Sequence, residues 1–196
     1  MSDAVQFLFR FTLFALVHSL FAVPSLKKRC GGQSTHVRRF YRLYYNIASL
    51  VLFGWTMAAF RNSEVLYVVP GVWSLVMYSM QILFLVILAI CVCQTGIADF
   101  LGFSKNASEG VHSSTLVVSG CYRIVRHPLY LFSLLFLISN PVITVRWLLL
   151  TMVSAVYILV GARLEEKRLL VEYGDAYLTY QRAVPFLIPR IFTRKA

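Results

Sequence analysis

Residues 5–23 read VQFLFRFTLFALVHSLFAV, nineteen residues with one formal charge, Arg10. At about 1.5 Å per residue, a helix of that length crosses a hydrocarbon core of about 30 Å. Arg10 lies near the start of the run, where a long side chain can snorkel to the interface. A second apolar run covers 43–60 and is closed by the polar break RNSE. A third covers 70–93 and opens at Pro70-Gly71. Residues 129–146, LYLFSLLFLISNPVITVR, contain Asn140-Pro141, which would break any single helix. They read as a helical hairpin, with helix four over 120–139, Pro128 inside it, and helix five over 142–164. The expected fold is all-α: an integral membrane bundle of five transmembrane helices forming a single domain over 1–196, with a short cytoplasmic helical tail over 165–196.

Composition agrees with that class. Of 196 residues, 59% are apolar and 14% charged, against about 45–50% and about 25% in soluble proteins. A soluble globular enzyme is excluded, because a chain this size could not bury such runs. The formal charge of +11, from 19 basic and 8 acidic residues, is scattered between hydrophobic blocks. It describes membrane topology rather than a nucleic-acid partner. Six Lys and Arg fall in 24–42, three in 94–128 and seven from 162 onward, sixteen of the nineteen. The positive-inside rule puts these segments in the cytoplasm and the N-terminus outside, as in a bacterial inner membrane. Arg10 at its start, with no small-x-small site after it, marks the first span as a retained helix rather than a signal peptide.

Cys30, Cys91, Cys93 and Cys121 fit no zinc spacing, because C-x-C on a helix points its side chains about 200° apart. They read as reduced thiols that pack as small apolar groups, and no metal is implied. His36 and His112 lie in polar loops and read as surface residues. His18 lies within the first span, where an ionisable group either faces a polar cavity or bonds a helix carbonyl.

The residues that point to chemistry are at 119–130, SGCYRIVRHPLY. An Arg-His-Pro triplet entering an apolar helix is costly unless something polar meets it, so Arg126, His127 and Tyr130 are expected to face a pocket opening to the cytoplasm. Arg126 bound to lipid phosphate is the plainer alternative. Where helix five leaves the membrane, Glu165 and Glu166 emerge opposite this triplet, with His127 expected to lie deeper than they do. An E-E-K-R run is by itself an ordinary solvated helix face; its position opposite R-H-P is what gives it meaning. Gly174 suits a helix C-cap and Asp175 the N-cap of a short helix that returns Tyr173, Tyr177 and Tyr180 toward the membrane.

The run LVVSGCYRIVRHPLYLFSLL, followed by EEKRLLVEYGDAYLTYQRAVPFLIP, resembles the C-terminal signature of the membrane S-adenosylmethionine-dependent methyltransferases. These include the isoprenylcysteine carboxyl methyltransferases and the phospholipid N-methyltransferases. HSLFAVPSLKKR, RRFYRLYYN and IADFLGF resemble the methanethiol S-methyltransferase and NnrU-type branch more closely. The resemblance implies a cytoplasmic S-adenosylmethionine pocket. One wall is Tyr122, Arg126, His127, Pro128 and Tyr130; the other is Glu165 and Glu166; Leu116, Val118 and Gly120 make backbone or adenine-side contacts. No G-x-G-x-x-G follows a strand, as expected of a wholly helical family.

Such a cofactor needs acidic partners for its ammonium, a cation such as Arg126 for its carboxylate, and aromatic faces near its sulfonium. Methyl transfer from a cation to an anionic nucleophile disperses charge, which a dry pocket favours. A thiol acceptor must first lose its proton, so a base is expected. His127 and His18 are the candidates, with Arg126 beside them and Tyr44 and Tyr45 weaker. The expected function is methylation of a small or membrane-dissolved nucleophile, a thiol first, with membrane lipid as surroundings. The alternatives are an isoprenylcysteine-like carboxylate, a lipid amine, or a non-catalytic NnrU-like partner in nitrogen-oxide respiration. A channel is disfavoured, because beyond His18 and Arg10 no polar group lines a pore path. The acid-base groups do not choose between acceptors, and the sequence leaves the oligomeric state open.

Overall fold

A computed structural model describes residues 2–23, 35–96 and 116–190. Cys30 and His112 lie outside the described residues, as does the side chain of His36. The chain divides into two compact units, Met1–Glu64 with Gly96–Ser114, and Val65–Thr95 with Thr115–Ala196.

In the first unit, α1 (Asp3–Phe21) packs against α2 (Thr35–Met57). Ser2 caps α1 by accepting from the Val5 amide, one of the donors a helix N-terminus leaves without an internal partner. The Arg10 guanidinium donates to the Trp55 carbonyl at 2.9 Å and stacks 4.7 Å from that indole's centroid, a cation–π contact near the end of α2.

The second unit opens with β1 (Val65–Val68), which pairs antiparallel with β2 (Val142–Thr144). The all-α expectation is corrected here. Both strands are short β-branched or aromatic runs next to prolines, where a helix cannot continue and extended backbone is preferred. The Val69 amide extends the contact by donating to the Pro141 carbonyl at 2.9 Å. Between the strands come α3 (Val72–Thr95), a 3₁₀ turn (Gly120–Arg123) and α4 (Pro128–Ile138). After β2 follow α5 (Val145–Tyr173) and α6 (Asp175–Ala183).

Helix four is shorter than the sequence suggests. Pro128 is not inside a helix over 120–139 but at the first position of an 11-residue one. There its missing N–H costs nothing and its fixed φ fits. Eleven residues rise roughly 16 Å, about half of a hydrocarbon core. Helix five is correspondingly different: it starts at Val145, capped by Thr144 accepting from the Trp147 amide, and runs unbroken for 29 residues to Tyr173. The first three residues assigned to it, 142–144, are β2.

Among the described residues, α1, α3 and α5 are long and apolar enough to cross a membrane. The protein is therefore an integral membrane protein, mostly helical. Within its second unit α3 and α4 pack together, with Gln81 donating to the Phe136 carbonyl at 3.1 Å and Phe84 meeting Phe132 at 6.0 Å. Cys91 is buried and Cys93 exposed, both on α3 as free thiols.

Candidate functional site

The candidate site lies where the residues before α4 meet the end of α5 and α6. Gly174, at φ +53°, ends α5 and starts α6 at once. Asp175 is thus the first residue of α6 rather than its cap. The sharp turn folds α6 back, so that Tyr177 and Tyr180 pack with Val184 as a buried cluster against Leu116, Leu169 and Tyr173. Tyr173 lies on α5 with Glu166, but Tyr177 and Tyr180 lie beyond the turn, on α6.

Arg126 is the hub. Its Nε donates to Glu166 Oε1 at 2.6 Å. Its Nη1 donates to the carbonyls of Gln181 at 2.8 Å and Val184 at 3.0 Å, and its backbone N–H to the Pro185 carbonyl at 2.9 Å. The unmatched carbonyls at the end of α6 are thereby satisfied by a cation, which the helix dipole favours at that end. Both members of the Arg126–Glu166 pair are only 12% exposed. The Tyr177 hydroxyl donates to the same Glu166 oxygen at 3.3 Å, and the Tyr180 hydroxyl to the Tyr122 carbonyl at 2.7 Å. Burial pushes the Tyr180 hydroxyl up to about 12. Burial, then the Glu166 charge, raises Tyr177 as well.

His127 sits just before α4, with its ring beside both glutamates. Its Nδ1 is 3.7 Å from Glu165 Oε2 and its Nε2 is 3.5 Å from Glu166 Oε1. The second separation is long for a hydrogen bond, and that oxygen already accepts from Arg126; among the described residues, buried Nε2 has no hydrogen-bond partner. The ring stacks on Tyr130 at 5.5 Å and meets the edge of Phe186 at 5.1 Å. Burial lowers the imidazole from its ordinary value, while the charges of Glu165 and Glu166 pull the other way. The resting ring is neutral, yet beside two carboxylates that would stabilise it once protonated.

The two glutamates are not equivalent. Glu166 is committed to Arg126 and Tyr177, whereas Glu165 is 46% exposed, 3.7 Å from the His127 ring and beside the Tyr130 hydroxyl. Tyr122, Pro128 and Tyr130 join the same cluster, and Leu116 packs on the α6 tyrosines. Val118 is exposed. Gly120 has a local reason for being glycine: φ is +60°, and a Cβ there would collide with the Gln94 side-chain amide. His18 belongs to the first unit, where its Nδ1 meets Ser49 Oγ at 3.0 Å and its Nε2 the Tyr45 hydroxyl at 2.7 Å.

Phe186 was not expected from the sequence. Its ring also carries the guanidinium of Arg163 at 4.8 Å and that of Arg126 at 5.7 Å. The available signal was a lone aromatic between Pro185 and Pro189, after a helix end.

An acidic pair, a guanidinium, aromatic faces and an orphaned imidazole nitrogen form a donor set suited to a zwitterionic cation such as S-adenosylmethionine. No family model matches the chain, and no solved structure matches it. The chain is 45% identical over 74 residues to methanethiol S-methyltransferase 2 of Bradyrhizobium diazoefficiens, a stretch covering 38% of this chain and 29% of that protein. It is 46% identical over 70 residues to methanethiol S-methyltransferase of Crocosphaera subtropica, covering 36% and 28%. With the protein of that name from Mycobacterium tuberculosis it shares 40% over 68 residues, covering 35% and 28%. The matched stretch spans less than a third of the length of each of these curated relatives. Over a little more than a third of its own length, the chain is thus similar to proteins named methanethiol S-methyltransferases, the branch its own motifs resemble.

Proposed function

We propose that this chain is a membrane methyltransferase that uses S-adenosylmethionine from the cytoplasm to methylate a thiol. The observation that carries the proposal is the division of labour between the glutamates: Glu166 neutralises Arg126, and Glu165 stands half-exposed with no cation paired to it other than the approach of His127. The names of the relatives favour a thiol over a carboxylate or an amine as acceptor. The basic segments favour five spans, with the site facing the cytoplasm of a bacterial inner membrane.

When bound, the cofactor supplies an electrophilic methyl group on its sulfonium. Glu165 holds the ammonium. Arg126 offers the carboxylate its Nη2, because Nε and Nη1 are spent on Glu166 and the α6 carbonyls. The rings of Tyr122, Tyr130 and Phe186 supply aromatic faces and exclude water. Leu116, Val118, Gly120 and Pro128 shape the wall. His127 Nε2, neutral and unbonded, takes the thiol proton, and the resulting imidazolium is held by Glu165 and Glu166.

Calorimetry of S-adenosylmethionine with the chain in nanodiscs tests the proposal. It is followed by transfer of labelled methyl to methanethiol, a longer thiol, farnesylcysteine and phosphatidylethanolamine. Binding with transfer to the thiols is expected. No binding at millimolar cofactor to folded protein removes the proposal, and transfer only to farnesylcysteine or the lipid replaces the acceptor.

A further inference from the structure

From Arg146, its second residue, to Arg163, α5 rises roughly 26 Å, close to the thickness of a hydrocarbon core. Arg163 therefore stands where the helix leaves the core, at the depth of the lipid phosphates. Its face of the helix is the one that lipid covers. Met152, Val156 and Val160 are 58%, 65% and 54% exposed, and at helical spacing they lead on to Arg163 and, one turn further, to Lys167. Both basic side chains are exposed.

The Arg163 guanidinium lies 4.8 Å from the centroid of the Phe186 ring, which also carries Arg126 at 5.7 Å. Stacking restricts a side chain that would otherwise sample many rotamers and leaves its N–H edge free to meet an anion. The two cations differ in what balances them. Arg126 has Glu166; among the described residues, neither Arg163 nor Lys167 enters an ion pair. The acids of α5 do not serve this face. Glu166 is committed to Arg126 and Tyr177, and at 100° per residue Glu165 and Glu172 project about 160° or more away from Arg163. An anion arriving here meets positive charge, whereas a headgroup ammonium finds no carboxylate.

We propose that Arg163 and Lys167 bind the headgroup phosphate of an anionic phospholipid whose acyl chain lies along Val160 and Val156. The planar guanidinium can donate to two phosphate oxygens at once, and the ammonium of Lys167 adds a second charge. The proposal stands on α5 and Phe186 and does not need the methyl-transfer function.

The test is native mass spectrometry of the full chain in detergent, without cofactor, titrated with palmitoyl-oleoyl phosphatidylglycerol and with the phosphatidylcholine of the same chains. One saturable phosphatidylglycerol is expected, bound about fivefold or more tighter than phosphatidylcholine. Arg163→Gln and Lys167→Gln should each weaken it by about fivefold, the effect of one basic residue near a charged membrane surface, and Arg163→Lys by less. Arg61→Gln, which removes one charge from the exposed loop before β1, should leave it unchanged. Equal loss in Arg61→Gln would reduce the effect to net charge and overturn the proposal, as would equal affinity for phosphatidylcholine or wild-type affinity in both Arg163→Gln and Lys167→Gln. Displacement of the lipid by millimolar inorganic phosphate would make this a site for a free anion, and displacement by S-adenosylmethionine would give Arg163 to the cofactor; either overturns the lipid assignment.

Discussion

Arg126 and Glu166, forty residues apart, meet through a 2.6 Å charge-assisted bond, and the same guanidinium closes the end of α6. This makes Glu166 a structural partner before it is anything else. Glu166→Gln keeps an acceptor oxygen but leaves a buried guanidinium without its counter-ion. The expected cost is about 1.5–3 kcal/mol, the range for a hydrogen bond to a charged group. A lowered melting temperature in nanodiscs is the readout, and a melting curve superimposable on wild type would show that the pair contributes nothing to stability.

Glu165→Gln should behave in the opposite way. The side chain is 46% exposed, and its contacts are with the His127 ring at 3.7 Å and the Tyr130 hydroxyl rather than with a buried cation, so the melting temperature should change little. Affinity for S-adenosylmethionine should fall roughly tenfold to a hundredfold, the equivalent of one charge-assisted contact. Calorimetry distinguishes the two glutamates directly: a variant of Glu165 that binds normally would leave the ammonium without its assigned partner.

The buried imidazole of His127 should make stability depend on acid. Its value in the fold is lowered, chiefly by burial, below the ordinary value of about 6.5 that it regains on unfolding. Above about pH 6.5 both states hold the neutral ring and His127 contributes no slope. As pH falls through that value the unfolded chain takes up a proton that the fold refuses. Stability then declines by up to about 1.4 kcal/mol per pH unit, until the lowered value is reached. His127→Gln should therefore flatten part of the acid limb of melting temperature against pH while changing little at neutral pH. Parallel acid limbs in the two proteins would place the uptake elsewhere.

The membrane class was legible because it rests on the length of apolar runs, which any span needs whatever its neighbours. The R-H-P triplet and the glutamate pair were legible as a cluster for a related reason: charged groups at a span's end must be met by something polar. Arg126's main partners were not legible. The carbonyls of Gln181 and Val184 lie 55 and 58 residues away, and a main-chain oxygen leaves no trace in the identity of its residue. Without those bonds in view, Arg126 looked free to serve a ligand with its whole guanidinium.

The strand pair failed to show for a different reason. VLYV at 65–68 follows the polar break and precedes Pro70, where it reads as the apolar lead-in to the third span. VIT at 142–144 was absorbed into a helix. Each is too short to carry a period of two, and only pairing with the other makes either extended. Pro128 did carry its own signal, since proline is favoured at the first helical position. Weighting that preference over the length needed to span a bilayer would have found the short α4.

Gly120 offers a test of local geometry that does not depend on any ligand. Its φ of +60° is strained for a residue with a Cβ, and the added atom would strike the Gln94 amide. That amide ends a flexible side chain and could swing away, but its Oε1 accepts the Cys121 N–H at 3.0 Å, so moving it breaks a bond between α3 and the 3₁₀ turn. Gly120→Ala should accordingly cost about 1–2 kcal/mol for the backbone and about 1 kcal/mol for the displaced bond. Gln94→Ala alone should cost only the latter. In the double variant the bond is already gone and the collision is removed, so the loss should fall short of the sum of the two single losses by about 1 kcal/mol. Strict additivity of the melting shifts would mean that Gln94 and Gly120 do not touch, and the positive φ alone would then explain the glycine.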